Sequence, residues 1–147
     1  SENGKYDKKV MFAIWMALGL TLIQIILGTQ VRQFIDHQID ILGENSKNLW
    51  LANPSIQFYI HRSFSILVVL VNLYIAYSIY QKKLGYSKIN WVLGLLFIEV
   101  ITGVVMYYFH FPFASQPLHL ILAALLFGIQ FYLVLEASKG MISQKTL

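Results

Sequence analysis

Four long apolar segments constrain this sequence more than any other feature. A helix needs about 20 mostly apolar residues to cross a bilayer, and four segments meet this requirement, at about 10–33, 60–80, 89–109 and 118–136. Because backbone groups cannot stay unpaired in hydrocarbon, each segment is predicted to be a helix. We therefore predict an all-α integral membrane protein, a single four-helix bundle with an outer interfacial segment at about 34–54.

Composition excludes the common alternatives for a chain of 147 residues. Charged residues make up 12% and hydrophobic residues 57%, whereas a soluble domain carries about 25% charged residues. The same apolar content argues against disorder. The chain has no cysteine, which excludes disulfides, thiolate zinc sites, iron–sulfur clusters and covalently attached c-type haem.

The distribution of basic residues predicts the orientation in the membrane. Eight of the eleven basic residues lie before the first span, between the second and third, or after the fourth. They are Lys5, Lys8, Lys9, Lys82, Lys83, Lys88, Lys139 and Lys145. Four spans place all of them on one side, which the positive-inside rule identifies as cytoplasmic. We expect a bacterial-type cytoplasmic membrane with both termini cytoplasmic, a bundle surrounded by lipid, and no nucleic-acid partner.

Aromatic residues near the ends of the spans are typical of the belts that form at membrane–water interfaces. We predict that most of them lie at the interface. They are Trp50, Trp91, Tyr77, Tyr80, Tyr86, Tyr107 and Tyr108.

The first and third spans carry related patterns. Gln24-Ile-Ile-Leu-Gly28 resembles Glu99-Val-Ile-Thr-Gly103, because each has a polar residue, a mostly apolar stretch and a glycine. The second and fourth spans each carry a histidine near the outer end. The sequence therefore predicts two repeated helical hairpins, related by an axis along the membrane normal.

The repeat predicts a haem site. His61 and His119 would face one another at similar depth, as the two axial ligands of a haem iron. Ser65 and Ala123 follow one turn later and leave room for a flat macrocycle. Glycines on the other two helices, Gly28 and Gly103, open similar space. Bundle cores commonly hold cofactors in this way.

Two arginines are candidates for the haem propionates. Gln24, Gly28 and Arg32 form one helical stripe, so Arg32 would emerge at the outer end of that face. Arg62 follows His61 directly, and arginine can bind a carboxylate with two parallel hydrogen bonds. The alternative is that both arginines extend to the interface without binding a cofactor.

Glu99 lies inside the third span, where an ionisable residue is costly and suggests a function. It is a candidate proton carrier or a contact for a cofactor edge. The alternative is a structural glutamate that pairs with Gln24 or Asn72. His37 and His110 are interpreted as surface residues, with a copper or zinc site as the alternative.

Three short motifs resemble the haem A synthase family. They are Leu27-Gly-Thr-Gln-Val-Arg32 with Asp36 shortly after, Ile60-His61-Arg62 and Pro117-Leu-His119-Leu. The resemblance covers all four spans. It implies a protein similar to eight-helix enzymes made of two tandem four-helix bundles, each with a histidine pair. One bundle is the reaction site and the other holds haem b. The implied reaction is oxidation of a methyl group of haem O to the formyl group of haem A, for cytochrome oxidase assembly.

The sequence departs from the catalytic half of that family at one position. That half has a glutamate three residues before its first histidine, and here the residue is Phe58. Paired cysteines of some catalytic halves are also absent. The chain therefore resembles the second, haem-b-binding half more closely, and we expect the C-terminal bundle of a haem A synthase or a separately encoded equivalent.

The resemblance implies a set of cofactors and partners. We expect haem b, held by His61 and His119, as an electron-transfer or structural cofactor, with haem O or haem A as substrate or product. The catalytic residues are unknown apart from the candidate role of Glu99. The implied partners are a second four-helix bundle (in the same protein, a homodimer or another subunit), haem O synthase and cytochrome oxidase.

Two other functions stay open from the sequence. The first is a small membrane cytochrome b subunit that exchanges electrons with quinone. The second is a structural membrane subunit without haem.

Overall fold

The chain folds into four α-helices. The computed structural model describes residues 5–146, apart from the side chain of Gln144. The helices are α1 (Lys8–Leu42), α2 (Ile56–Gln81), α3 (Lys88–Tyr108) and α4 (Ser115–Lys145). All four are long and apolar enough to cross a membrane. The predicted all-α membrane fold is confirmed.

The helices form a ring in which each packs against two neighbours. The packed pairs are α1 with α2, α2 with α3, α3 with α4, and α4 with α1. Helices α2 and α4 therefore lie at opposite corners of the bundle. Packing is most extensive within the pairs α1–α2 and α3–α4, which are the two predicted hairpins.

Helix α1 extends well beyond its predicted end near residue 33. It has 35 residues, about 52 Å at 1.5 Å per residue, and this exceeds a hydrocarbon core of about 30 Å. The predicted outer segment 34–54 is thus helical as far as Leu42, because the apolar spacing of Val31, Ile35 and Ile39 continues. Gly43, with φ of 88°, ends the helix, and its N–H donates to the carbonyl oxygen of Ile39 at 2.8 Å.

The other helices also differ from the predicted bounds. Helix α2 begins four residues before position 60, and α4 begins three residues before position 118 and continues to Lys145. These extensions lie at the bundle ends, where hydropathy falls but helical hydrogen bonding continues.

Apolar packing divides into an inner and an outer cluster. The inner cluster fills the half of the bundle that carries the lysine-rich ends. The outer cluster packs α1, the loop after it and the α3–α4 turn together. Its buried members are Val31, Ile35, Trp50, Phe58 and Phe111.

Two aromatic residues assigned to the interfacial belt are buried instead. Trp50 is 4% exposed and donates its indole N–H to the carbonyl oxygen of Gly43 at 3.2 Å. Tyr86 is 3% exposed and donates its hydroxyl to the carbonyl oxygen of Lys5 at 2.6 Å. The interfacial prediction is wrong for both, because the connecting segments fold back over the bundle and supply partners. The other five aromatic residues are exposed.

Three side-chain contacts join the chain segments at the inner end. Lys82 forms an ion pair with Asp7 at 2.7 Å, and Tyr86 contacts Lys5. Glu136 accepts hydrogen bonds from the backbone at the start of α3. The eight lysines thus share one end of the bundle. The two terminal residues, for which a cytoplasmic position is predicted, lie outside the described residues.

Candidate functional site

The two candidate ligand histidines are each packed against a glycine of the preceding helix. A Cβ atom on residue 28 would lie 3.3 Å from Cε1 of His61, and a Cβ on residue 103 would lie 3.5 Å from Cε1 of His119. The contact at Gly28 is closer than a Cβ ordinarily allows, whereas a Cβ at residue 103 would be in ordinary van der Waals contact with the ring. The same contact occurs once in each hairpin, as a structural repeat requires.

The histidines lie between the two apolar clusters. On α1 and α2 the inner cluster extends outward only as far as Leu20 and Phe64, and the outer cluster resumes at Val31 and Phe58. His61 and His119 fall within this interval, on helices at opposite corners of the ring. Both rings are half-buried. On α1 and α2, the level of the histidines therefore lies between the two apolar clusters.

The imidazole of His119 is fixed by two residues of α3. Its Nδ1 lies 2.8 Å from Oε1 of Glu99 and 2.7 Å from Oγ1 of Thr102. The Thr102 hydroxyl donates to the carbonyl oxygen of Glu99 at 2.8 Å. A carboxylate and a hydroxyl together therefore orient one edge of this ring.

Glu99 does not pair with either polar residue considered from the sequence. The Gln24 amide donates to the carbonyl oxygen of His61 at 2.9 Å. The Asn72 amide donates to the carbonyl oxygen of Val68 at 2.8 Å and accepts from Gln130 at 3.2 Å. The structure instead brings Glu99 to a histidine, which links it to the candidate site.

The imidazole of His61 has a different environment. Its Nδ1 is buried and has no hydrogen-bond partner within residues 5–146, and the same holds for Oε1 of Gln24. Unpaired buried polar atoms are uncommon in folded proteins and call for an explanation, such as an ion or a cofactor.

The two candidate propionate ligands contact protein groups in the structure. Arg32 forms an ion pair with Asp36 at 2.8 Å and donates to the side chain of Gln116. The Arg62 guanidinium lies 6.0 Å and 5.8 Å from the ring centroids of Phe58 and Tyr59. Both arginines are exposed on the outer side, and propionate binding by either stays a prediction.

The remaining candidate residues lie as follows. Ser65 and Ala123 are half-buried, and the Ser65 hydroxyl donates to the carbonyl oxygen of Arg62 at 2.5 Å. His37 and His110 are exposed. In the described part of the chain, no three His, Asp or Glu side chains converge in a way that could hold a metal ion.

Thr102 is a site residue that the sequence did not reveal. It lies inside the motif Glu99-Val-Ile-Thr-Gly103, three residues after Glu99 and one before Gly103. Residues three apart share a helix face, so a hydroxyl on the same face as the Glu99 carboxylate, inside a predicted span, was the available signal. The histidine partner itself could not be inferred, because it is on another helix.

Fold and site together define an integral membrane four-helix protein with a histidine pair in its outer half. Residues 1–131 match the COX15-CtaA family, described as "Cytochrome oxidase assembly protein". The match covers most of the chain, and the chain belongs to this family, a membrane protein with a role in cytochrome oxidase assembly. The predicted relation to haem A synthases is confirmed. Comparison with curated proteins and with solved structures gives no match.

Proposed function

We propose that this chain is the haem-binding bundle of a haem A synthase-like protein, with haem b held between His61 and His119. In this role it supports the oxidation of haem O to haem A. The observation that carries the proposal is the repeated contact between a histidine and a glycine of the preceding helix. A methyl group added to either glycine would lie 3.3 Å or 3.5 Å from the imidazole. Histidines on two opposite helices of the ring would each supply a nitrogen ligand to a haem iron.

The donor atoms of the site also fit a haem. In the part of the chain that the structure describes, the hydrogen bonds of the His119 ring involve Nδ1, which leaves Nε2 available there as a ligand. Among residues 5–146, Nδ1 of His61 has no hydrogen-bond partner, so this atom is free of a competing contact there. Half-buried small residues, Gly28, Gly103 and Ala123, line the same level. Arg32 and Arg62 are exposed on the outer side, and in this proposal they would exchange their present contacts for the haem propionates.

The position of Phe58 favours a supporting role over a catalytic one. Where the catalytic half of the family has a carboxylate, this chain has a buried phenyl ring that stacks on Tyr107 at 5.6 Å. A haem held by both histidines would supply one-electron transfer. The chain's own residues would hold and orient it. A second four-helix bundle, as part of the same protein, a homodimer or another subunit, would then carry the reaction.

Purification after haem-replete expression tests the proposal. We expect a Soret band, a low-spin b-type reduced-minus-oxidised spectrum and extractable haem b. His61→Ala and His119→Ala should each lose most of the bound haem, because each removes an axial bond. The exposed histidines provide matched controls, and His37→Ala and His110→Ala should retain wild-type haem.

Two outcomes would contradict the proposal. Wild-type protein without a Soret band would support a structural subunit without haem. Full haem occupancy in either ligand variant would show that the histidine pair is not the site. Deletion of the gene distinguishes the assembly role from quinone chemistry: we expect loss of haem A from cellular membranes, whereas a quinone-linked cytochrome b would leave haem A unchanged.

A further inference from the structure

The histidines of the two hairpins have different hydrogen-bond partners. The motif that ends at Gly103 has Glu99 and Thr102 where the motif that ends at Gly28 has Gln24 and Leu27. Glu99 and Thr102 both contact Nδ1 of His119. In the other hairpin the amide of Gln24 reaches only the backbone of His61. The two hairpins therefore share the glycine and the histidine, but they differ in the side chains that contact the imidazole ring.

The contacts of Nδ1 point to the nitrogen of His119 that carries the proton. Oε1 of Glu99 lies 2.8 Å from Nδ1, and an ionised carboxylate can only accept a hydrogen bond, so this contact takes its proton from Nδ1. The Thr102 hydroxyl lies 2.7 Å from Nδ1 and can accept there while it donates to the carbonyl oxygen of Glu99 at 2.8 Å. Nε2 therefore carries the lone pair, on the edge of the ring opposite to these acceptors.

The ring of His61 has no comparable restraint. Its Nδ1 lacks a partner within the described residues, and the position equivalent to Thr102 is Leu27, whose side chain cannot accept a hydrogen bond. Packing against Gly28 limits the ring's position but does not select its tautomer.

We propose that Glu99 and Thr102 are positioning residues that hold His119 as the Nδ1–H tautomer and make it the stronger of two unequal haem ligands. The part of this inference that concerns haem rests on the proposed function. When the ring nitrogen that does not bind the metal donates a hydrogen bond to a carboxylate, this bond fixes the orientation of the imidazole and increases its basicity as a ligand. Loss of such a partner typically weakens metal binding about 10- to 100-fold. A more basic axial ligand favours ferric over ferrous iron and lowers the reduction potential.

The tautomer can be tested in the haem-free full-length chain. We would record long-range ¹H–¹⁵N spectra of ¹⁵N-histidine-labelled protein in micelles, with His61→Gln and His119→Gln variants for assignment. We expect His119 as Nδ1–H, and as Nε2–H in the Glu99→Leu/Thr102→Val variant. An Nε2–H tautomer for His119 in the wild-type chain would overturn the inference, whatever the haem measurements give.

The ligand asymmetry is tested in the haem-loaded protein. We expect Glu99→Gln to raise the reduction potential and to shift the electron paramagnetic resonance g values, and Glu99→Leu to weaken haem binding about 10- to 100-fold. Glu136→Gln, which changes a carboxylate at the far end of the bundle, is the matched control and should leave the potential unchanged.

The outcomes separate this inference from the proposed function. Wild-type protein that binds no haem refutes the proposed function and the ligand role, and the histidine spectra still decide the tautomer. Wild-type protein that binds haem with the same potential and g values as Glu99→Gln supports the proposed function and overturns the ligand asymmetry.

Discussion

At the scale of single residues, each histidine ring of the site lies against a glycine of the preceding helix. The contacts are Gly28 with His61 and Gly103 with His119. Glycine permits this close approach because it has no Cβ. The two contacts differ in tightness: an added methyl would be 3.3 Å from His61 but 3.5 Å from His119, an ordinary van der Waals distance.

This difference predicts unequal effects of the same substitution. Gly28→Ala should displace the His61 ring and lower stability by about 1–3 kcal/mol, as overpacking commonly does, with reduced haem occupancy. Gly103→Ala should remain close to wild type in both respects. The measurements are denaturant unfolding in mixed micelles and the ratio of Soret to protein absorbance.

Gly94 provides the control for the glycine comparison, because an added Cβ there meets no atom within 4 Å. Gly94→Ala should retain both stability and haem. Equal behaviour of Gly28→Ala and Gly103→Ala would contradict the unequal packing of the two rings.

At the scale of the helices, α3 begins without a capping side chain of its own. Ser87 precedes it but makes no side-chain capping hydrogen bond to the helix. Instead, the Glu136 carboxylate on α4 accepts from the backbone N–H groups of Ser87 and Lys88, at 2.9 Å and 3.0 Å. A negative charge is also favourable near a helix N-terminus. One helix therefore caps its neighbour, which fixes the register of the second hairpin.

Removal of this cap should destabilise the bundle. We expect Glu136→Ala to lower the free energy of unfolding by about 0.5–2 kcal/mol, the usual range for loss of a cap. Ser138→Ala is the control on the same helix, since its hydroxyl donates only to the carbonyl oxygen of Val134. If both variants unfold at the same denaturant concentration, the cap contributes nothing measurable.

At the scale of the whole molecule, the bundle is a near-symmetric ring with distinct ends. Asn72 and Gln130 occupy matching positions after the two histidines and bond to each other at 3.2 Å across the bundle. Both are fully buried, so a pair of amides joins α2 and α4 three turns along each helix from the histidines. The end with eight lysines is opposite to the outer cluster.

The lysine asymmetry predicts that both ends of the chain face the cytoplasm. A green fluorescent protein fused to the C-terminus should therefore fluoresce in bacterial cells. An alkaline phosphatase fused after residue 47, in the outer loop, should be active. An inactive phosphatase at residue 47 together with a non-fluorescent C-terminal fusion would show the opposite orientation, with the histidine pair in the cytoplasmic half.

The sequence by itself determined the number of spans, the helical class, the lysine-bearing end and the histidine pair. These features follow from composition and from spacing within single helices, because hydropathy, charge and helical period are local properties of the sequence. The repeat of the two hairpin motifs also follows, because the same pattern occurs twice, whereas the sequence assigned the space at Gly28 and Gly103 to a macrocycle and the structure places the histidine rings against them. The family match is independent of the structure and agrees with these motifs.

Only the tertiary structure decided what each polar side chain contacts. That Glu99 and Thr102 hold His119, while His61 has no such partner among the described residues, depends on how α3 and α4 are rotated against each other. The burial of Trp50 likewise depends on a loop that folds back over α1. The pattern within one helix fixes which residues share a face, whereas the partner of that face is set by packing between helices, which local spacing does not encode.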